Sequence, residues 1–231
     1  MFPGVDTYNR DVVINTESWF SEEISSAQVV KADYTTFRRD KHTLGGGVLI
    51  CVKNYITCAE LWVDKVYEMI AVEVKGRDPK PTWEIVGIYR APNEDMRSLE
   101  KLTDRTGYMG RNTNCRIIGG DLNLPYADWN GHAEKSKGTQ VFLNSLVWEN
   151  GYTQVVNSSS REDVLFDVCL VRPESAFISC SKVQGISDHC GVLLDVEWGK
   201  NCRKHQVERL VLVYHKTNVS GLQSFIRGKF A

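Results

Sequence analysis

Residues 119–125 read Gly-Gly-Asp-Leu-Asn-Leu-Pro and follow the run Arg-Ile-Ile at 116–118. A run of β-branched residues that ends in glycines is typical of a buried strand that turns sharply and lets a ligand approach its backbone. Asp121 and Asn123 would then stand at the strand end, where a carboxylate can orient a water and an amide can donate to a phosphate oxygen. An Asx turn closed by Leu-Pro explains the same residues, so both interpretations remain open at this point.

A second polar triplet, Ser-Asp-His, occupies residues 187–189 and precedes another apolar run. By itself, His189 beside Asp188 is also compatible with a simple polar turn. A functional histidine needs a carboxylate to fix its tautomer. Asp167 is the candidate, because it interrupts the apolar run 164–170, where an unpaired buried carboxylate is costly. We therefore expect Asp167 to pair with His189.

Two further polar residues end strand-like runs. Glu17 follows such a run and stands near Trp19, a plausible setting for a carboxylate that binds a hard cation; Mg²⁺ takes one or two carboxylates plus waters and phosphate oxygens. Tyr89 ends another run, and its hydroxyl could donate to a phosphate, although an ordinary interfacial tyrosine is the alternative. Strand ends can converge on one edge of a two-sheet sandwich. These residues could therefore form one metal-assisted phosphodiesterase site with the two triplets.

The composition is that of one globular domain with, at most, a short appendage. The chain has 231 residues, 42% apolar and 25% charged, and it lacks both an 18-residue apolar run and a signal-peptide pattern. Its seven cysteines form no CxxC pair, which favours reduced thiols in an intracellular protein over a zinc site. Basic residues dominate from residue 199 onward, so the preceding body is acidic. That balance argues against a generic polyanion-coating protein, but not against a nuclease whose carboxylates recruit a cation.

Strand-like runs outnumber helical ones, which predicts two packed sheets with helices outside. Helices are expected at 94–106 and at 139–150, the second ending at Gly151. Gly-Gly-Gly at 45–47 lacks the features of a phosphate-binding P-loop and predicts a tight turn. The expected strands cover 11–15, 47–53, 69–75, 83–89, 115–119, 152–156, 164–171, 177–182 and 190–198.

Seven short pieces of the chain, in this order, together resemble the exonuclease-endonuclease-phosphatase superfamily, which includes DNase I-like and apurinic-type endonucleases. Within it, the chain looks most like the endonuclease domain of LINE-type, jockey-like non-LTR retrotransposons. The resemblance covers about residues 10–198 and implies an α/β fold, a DNase I-like four-layer sandwich of two mixed sheets flanked by helices. The pieces are Thr-Glu-Ser-Trp at 16–19, Phe-Arg-Arg-Asp at 37–40, Gly-Gly-Gly-Val-Leu-Ile at 45–50, Ile-Tyr-Arg-Ala-Pro at 88–92, Gly-Asp-Leu-Asn at 120–123, Phe-Asp-Val at 166–168 and Ser-Asp-His at 187–189.

The resemblance also implies a role for each candidate residue around a Mg²⁺ ion, for which Mn²⁺ could substitute. Asp121 would activate the attacking water, Tyr89 would stabilise the phosphate, and His189, oriented by Asp167, would hydrogen-bond that phosphate or act as acid or base. The metal would neutralise developing charge. The residues that would form the metal site are Glu17, Asp121, Asn123 and Asp188.

The function expected from the resemblance is a metal-dependent DNA endonuclease that nicks target DNA to prime reverse transcription. Its partners would be DNA and the reverse transcriptase domain of the parent element, and we expect a monomer in the nucleus, without membrane association. Arg38, Arg39 and Lys41 could contact DNA phosphates, with a solvated basic loop as the alternative. An inactive relic and, with lower priority, a phosphatase of the same superfamily are the competing functions.

One departure from the family pattern supports the relic hypothesis. Family members open with a strand that carries an asparagine near the metal, and residues 1–10 contain no such strand. We therefore expect a truncated copy that lacks the first strand, with a catalytic domain at 1–198. Residues 199–231 would be a linker and tail leading toward a reverse transcriptase domain.

Overall fold

The computed structural model describes residues 9–21, 23–41, 45–76, 82–92, 94–109, 115–129, 139, 142–161, 163–184 and 189–197. Residues 1–8, the tail from 199 and Asp188 lie outside these ranges, and with them most of the segment in which the family's opening strand was found to be lacking. No helix in the described ranges is long and apolar enough to cross a bilayer.

The described chain forms two sheets and a separate hairpin. The order of the three-stranded sheet is β1-β3-β2, and that of the six-stranded sheet is β4-β5-β6-β7-β9-β8; strands β10 and β11 form the hairpin. Only β6 and β7 pair in parallel; every other strand pair is antiparallel. The strands are β1 (Val12–Thr16), β2 (Tyr34–Arg39), β3 (Val48–Lys53), β4 (Thr57–Val63), β5 (Glu68–Lys75), β6 (Thr82–Tyr89), β7 (Cys115–Asp121), β8 (Thr153–Gln154), β9 (Asp167–Arg172), β10 (Phe177–Val183) and β11 (Gly191–Val196).

Four helical segments complete the fold. They are α1 (Ser26–Val29), α2 (Arg97–Met109), a π-helix (Leu143–Glu149) and a 3₁₀ turn (Glu174–Ala176). Side chains on α2 and the π-helix, such as Leu102 and Leu146, share a buried cluster with Val86 and Ile118 on one face of the six-stranded sheet.

The two sheets face each other across a second apolar core. Ile50 of the smaller sheet, together with Ile85 and Ile117 of the larger one, belongs to this buried cluster. Gly87 of β6 lies where the sheets come close, since a Cβ there would be 2.7 Å from the Val48 side chain. Residues Val30, Tyr34, Leu49 and Cys51 form a third cluster around the smaller sheet. The layers are therefore those of the predicted four-layer α/β sandwich, and the fold class is confirmed.

Two strands were not predicted, and both lie at sheet edges. β2 and β4 each pair with only one neighbour in the described sheets. Most of β4 is exposed or half-buried, with Trp62 as its one buried residue. Because an edge strand of this kind faces solvent along much of its length, its hydrophobic pattern is weaker than that of a central strand.

Three other expectations need correction. The helix predicted at 139–150 is π-helical over residues 143–149, although Gly151 does end it in the left-handed conformation, with φ +68°. Asp167 does not interrupt a strand; it is the first residue of β9. The cysteines are free thiols at 51, 58, 169, 180 and 190, but Cys115 is disulfide-bonded, so the prediction of reduced thiols is wrong for that residue.

Candidate active site

Strand register aligns four polar residues in one row at one end of the larger sheet. Glu68 of β5 lies opposite Tyr89 of β6, Tyr89 opposite Asp121 of β7, and Asp121 opposite Asp167 of β9. Residues directly opposite one another in a sheet project their side chains to the same face. Tyr89 belongs to the core between the sheets, so this row points toward the smaller sheet, at the rim of the sandwich.

Glu17 reaches the row from the smaller sheet. It directly follows β1, is exposed, and has the left-handed φ of +50° that side chains other than glycine rarely adopt. The Tyr89 hydroxyl donates to Glu17 Oε1 at 2.6 Å. Burial, followed by this bond to a carboxylate, raises the pKa of Tyr89, so its hydroxyl remains a proton donor. The Tyr89–Glu17 hydrogen bond therefore joins the larger sheet to the loop after β1 at the rim.

Asp121 is the buried carboxylate at the centre of the row, with only 3% of its surface exposed. Its pKa is raised to about 6, first by burial and then by the charge of Asp167, with a smaller contribution from Glu17. The Asn123 backbone N–H donates to Asp121 Oδ1 at 2.8 Å and opposes the shift, as does His189. Crowded carboxylates of this kind are stabilised by a divalent cation.

Asp167 and His189 are brought together as the sequence predicted. His189 Nδ1 lies 2.6 Å from Asp167 Oδ2, and both side chains are partly exposed. Because an ionised carboxylate can only accept, Nδ1 carries the proton in this contact. One ligand atom from each of Asp121, Asp167 and His189 lies within 4.8 Å of the others, so the pair adjoins the central carboxylate.

Asn123 lies in the turn that the structural interpretation of its motif predicted. With φ +47° and its N–H bonded to Asp121, it forms the Asx turn that was the structural alternative. Its side-chain amide donates to the Arg90 carbonyl at 2.8 Å. The amide therefore ties the loop after β7 to the loop after β6, and direct contact of Asn123 with metal or phosphate stays a prediction.

The three basic residues expected to meet DNA make intramolecular contacts. Arg38 and Arg39 lie on β2, so the alternative of a solvated loop is wrong for them. Arg38 Nε donates to Asp40 at 3.0 Å, and Arg39 Nε donates to the Asp64 carbonyl at 2.8 Å. Lys41 forms a 2.6 Å ion pair with Glu68 and is the most accessible of the three. Contact between these residues and DNA stays a prediction.

Four residues at this rim were not singled out from the sequence. Glu68 begins β5 as a buried acid, and an acid at the border of an apolar run is the signal that had identified Asp167. Arg90 is buried and donates to the carbonyls of Leu122 and Asn123 at 3.4 and 3.3 Å, an arrangement that sequence alone does not reveal.

The other two are exposed aromatic residues. Trp19 is 63% exposed in the loop after Glu17, and Tyr126 is 81% exposed in the loop after Asp121. Exposed aromatic rings at a rim lined with polar groups can serve as contact surfaces for a ligand.

Part of the sequence is similar to a known family. Residues 83–193, which include β6, β7 and β9, match the sequence profile of the endonuclease-reverse transcriptase family. That segment carries Tyr89, Asp121, Asn123, Asp167 and His189. No protein of curated function matches the sequence.

Three solved structures with the same fold are compared in turn. The endonuclease domain of TRAS1, a telomere-specific non-LTR retrotransposon, superposes with a TM-score of 0.64 at 16% identity, over 85% of this chain and 89% of that domain. The Neisseria 3′ phosphatase NExo, bound to a product DNA hairpin, gives 0.64 at 14% identity, over 84% and 91%. The catalytic domain of Xenopus laevis APE2 gives 0.63 at 16% identity, over 87% and 88%.

Profile and fold agree with the motifs that run from Glu17 to His189. Residues 83–193 are therefore similar in sequence to the endonuclease-reverse transcriptase family, and the chain has the DNase I-like fold that the TRAS1 and APE2 structures share.

Proposed function

We propose that this protein is a metal-dependent DNA endonuclease that hydrolyses a phosphodiester bond at the rim between its sheets. The observation that carries this proposal is the crowding of carboxylates around Asp121. Its pKa of about 6 reflects burial beside Asp167 and, to a smaller extent, beside Glu17. Such a cluster costs stability unless a cation is bound, and strongly perturbed groups in clefts mark functional sites.

The residues present fit a hard divalent cation. Glu17 and Asp121 would hold it through carboxylate oxygens, which Mg²⁺ and Mn²⁺ both accept. The resemblance adds Asn123 and Asp188 to this set. His189 is bonded to Asp167 and is a nitrogen ligand that Mg²⁺ does not favour, so we assign the pair to the substrate instead. When bound, the ion would supply Lewis-acid stabilisation of the phosphoryl oxygens and of the leaving 3′ oxygen.

The side chains supply the remaining chemistry. Asp121 would orient the attacking water and take its proton, as the resemblance implies. The Nε2 atom of His189, held in place by Asp167, would hydrogen-bond a non-bridging phosphate oxygen. The Tyr89 hydroxyl, which now donates to Glu17, is the donor available to the developing charge.

Several observations favour DNA as the substrate. The Neisseria relative is described with a DNA hairpin, and the TRAS1 relative is a retrotransposon endonuclease. Trp19 and Tyr126, in the loops that follow Glu17 and Asp121, are exposed rings on which unpaired bases could stack. Within a longer element, the nick would leave the 3′ hydroxyl that primes the reverse transcriptase domain.

Nicking of supercoiled plasmid tests the proposal. We expect relaxation by the chain in Mg²⁺ or Mn²⁺, none in EDTA, and losses of about 10²- to 10⁴-fold in Asp121→Asn and in His189→Ala, the range of general acid–base catalysis. The matched control is Glu84→Gln, which alters a buried acid at the opposite end of the sheet. Nicking that survives both site substitutions would contradict the assignment, and a wild-type chain inert in both metals would favour the relic. A duplex with a 3′ phosphate, tested in parallel, separates a phosphatase from an endonuclease.

A further inference from the structure

We propose that Glu68 is a positioning residue for Glu17 and acts through the glycine turn at residues 45–47. The inference deepens the proposed function, because Glu17 is the predicted metal ligand that the larger sheet does not supply. Glu68 itself would touch neither metal nor substrate. It is linked to Glu17 by hydrogen bonds through the main chain.

The first link joins Glu68 to the glycine turn. Glu68 is 4% exposed, and its carboxylate accepts from the Gly47 backbone N–H and from Lys41 Nζ. A buried carboxylate that accepts two donors is fixed in place, and removing it leaves the buried Gly47 N–H without this acceptor. The acid therefore anchors one side of the turn to β5.

The second link depends on the glycines. Gly45, Gly46 and Gly47 have φ values of +90°, +87° and +95°, which other residues rarely adopt. A Cβ on Gly46 would collide with the Glu68 carboxylate, and one on Gly47 would lie 2.5 Å from Ser18 Oγ. The turn can therefore pack between the acid and the Glu17 loop only because it has no side chains.

The third link joins the turn to the segment that follows Glu17. The Trp19 N–H donates to the Gly46 carbonyl at 2.9 Å, and the Ser18 N–H donates to the Gly47 carbonyl at 3.5 Å. Glu17 and Trp19 both have left-handed φ values, +50° and +56°. Such conformations are unfavourable for residues other than glycine and persist only where the surrounding structure imposes them.

The consequence for the site follows from this strain. If Glu68 no longer holds the turn, the segment 17–19 can relax toward ordinary backbone angles. The Glu17 carboxylate would then move from its 2.6 Å contact with the Tyr89 hydroxyl. Substituting a residue that holds a metal ligand in position, without binding the metal itself, typically changes metal affinity by about 10–100-fold.

Fluorine NMR of the 5-fluorotryptophan-labelled chain tests the structural link without using nuclease activity. The Trp19 resonance is assigned by its loss in Trp19→Phe. We expect it to shift or broaden in Glu68→Ala and in Gly46→Ala. It should stay near its wild-type position in Glu68→Gln, whose amide oxygen can still accept from Gly47. An unmoved Trp19 resonance in Glu68→Ala would overturn the proposal.

A matched control separates positioning from general destabilisation. Glu84 is a buried acid on the neighbouring strand β6, at the opposite end of the sheet, where it pairs with Arg116. Glu84→Gln should perturb the adjacent Trp83 resonance and leave that of Trp19 unchanged. A Trp19 shift of the same size in this control would mean that Glu68 is merely structural, which also overturns the proposal.

Mn²⁺ titration, monitored by EPR, tests whether the contact between Glu68 and the glycine turn affects metal binding at the site. We expect Glu68→Ala to weaken Mn²⁺ binding by about 10–100-fold, as Glu17→Ala does, with Glu68→Gln closer to wild type. If Mn²⁺ binding weakens in Glu17→Ala but not in Glu68→Ala, Glu68 does not position the metal ligand. A wild-type chain that binds no Mn²⁺ counts against the proposed function instead, while the Trp19 resonance still decides the positional link.

Discussion

The two ends of the larger sheet use buried charge in opposite ways. At one end, Glu84 and Arg116 are register partners on β6 and β7, both fully buried. Arg116 Nε donates to Glu84 Oε2 at 2.8 Å, and Nη1 donates to the Tyr152 hydroxyl at 2.7 Å. Five residues further along the same two strands, Tyr89 and Asp121 are partners. There the neighbours of Asp121 include two more carboxylates instead of an arginine.

The difference shows what each end is suited to do. A buried acid paired with a guanidinium is electrostatically satisfied and holds two strands in register, which serves structure. A buried acid beside other acids is destabilised, as its raised pKa records, and is ready to accept a proton or a cation. The proposed function is thus assigned to the end of the sheet where the acids lie beside other acids.

Breaking the Glu84–Arg116 ion pair should have the largest effect on the free energy of unfolding. Arg116→Ala leaves Glu84 buried without its guanidinium, so we expect a loss of about 3–5 kcal/mol in the free energy of unfolding. Urea unfolding followed by circular dichroism measures it. A loss below about 1 kcal/mol would mean that this pair is not the structural counterpart of the site.

Removing the charge of Asp121, where carboxylates lie close together, should stabilise the protein. Asp121→Asn keeps the acceptor for Asn123 and removes the charge. In the wild type, the folded state holds the Asp121 proton more tightly than the unfolded state, so stability is lost as pH rises from about 4 to about 6. The variant should therefore match the wild type near pH 4 and exceed it by up to about 3 kcal/mol above pH 6.

Urea unfolding in EDTA from pH 4 to 8 checks this prediction. Asp195→Asn, which alters an exposed acid, is the control and should show no such pH dependence. A constant difference between Asp121→Asn and the wild type across the range would contradict the role of Asp121 charge.

A divalent cation should compensate the negative charge of the carboxylates at the Asp121 end of the sheet. At a concentration about 100 times its Kd, Mn²⁺ is expected to stabilise the folded wild type by about 2.7 kcal/mol at pH 7.5. Asp121→Asn should gain much less, because it lacks one carboxylate ligand. Thermal unfolding with and without Mn²⁺ measures the difference, and an equal gain in both proteins would place the ion elsewhere.

The smallest expected effect concerns the rings at the rim. Trp19→Ala and Tyr126→Ala should each weaken binding of a single-stranded oligonucleotide by about 1–3 kcal/mol, the usual contribution of base stacking. The control is Tyr55→Ala, which removes a ring that is also exposed but lies in the turn after β3, at the opposite end of the sandwich. Fluorescence anisotropy at fixed salt compares the three. Equal weakening by all of them would argue against a specific contact surface.

Much of the site could be predicted because its chemistry is local. Asp121 and Asp167 each border an apolar run, and a polar residue at such a border is visible in sequence. The Asp167–His189 pair followed from the cost of an unpaired carboxylate, and the structure places the two atoms 2.6 Å apart. The central strands were predicted for the same reason, since burial on both faces leaves a dense apolar pattern.

The missed features depend on packing or on backbone hydrogen bonding that a residue pattern does not record. Whether Arg38 meets solvent, DNA or Asp40 is decided by where β2 packs, and a basic run looks the same in each case. Glu68 gains its importance from residues 45–47 and from the segment beyond Glu17, which meet it only after both sheets form. The π-helix likewise differs from an α-helix by one residue per turn, a difference that the apolar spacing of Phe142, Leu146 and Val147 does not resolve.

The sequence by itself determined the kinds of groups at the site and their strand ends, because side-chain chemistry and strand periodicity are written residue by residue. Only the tertiary structure decided which charges compensate one another. Glu84 meets an arginine and Asp121 meets acids because of strand order and register, and these are properties of the packed sheets. The same carboxylate chemistry therefore stabilises the fold at one end and prepares a reaction at the other.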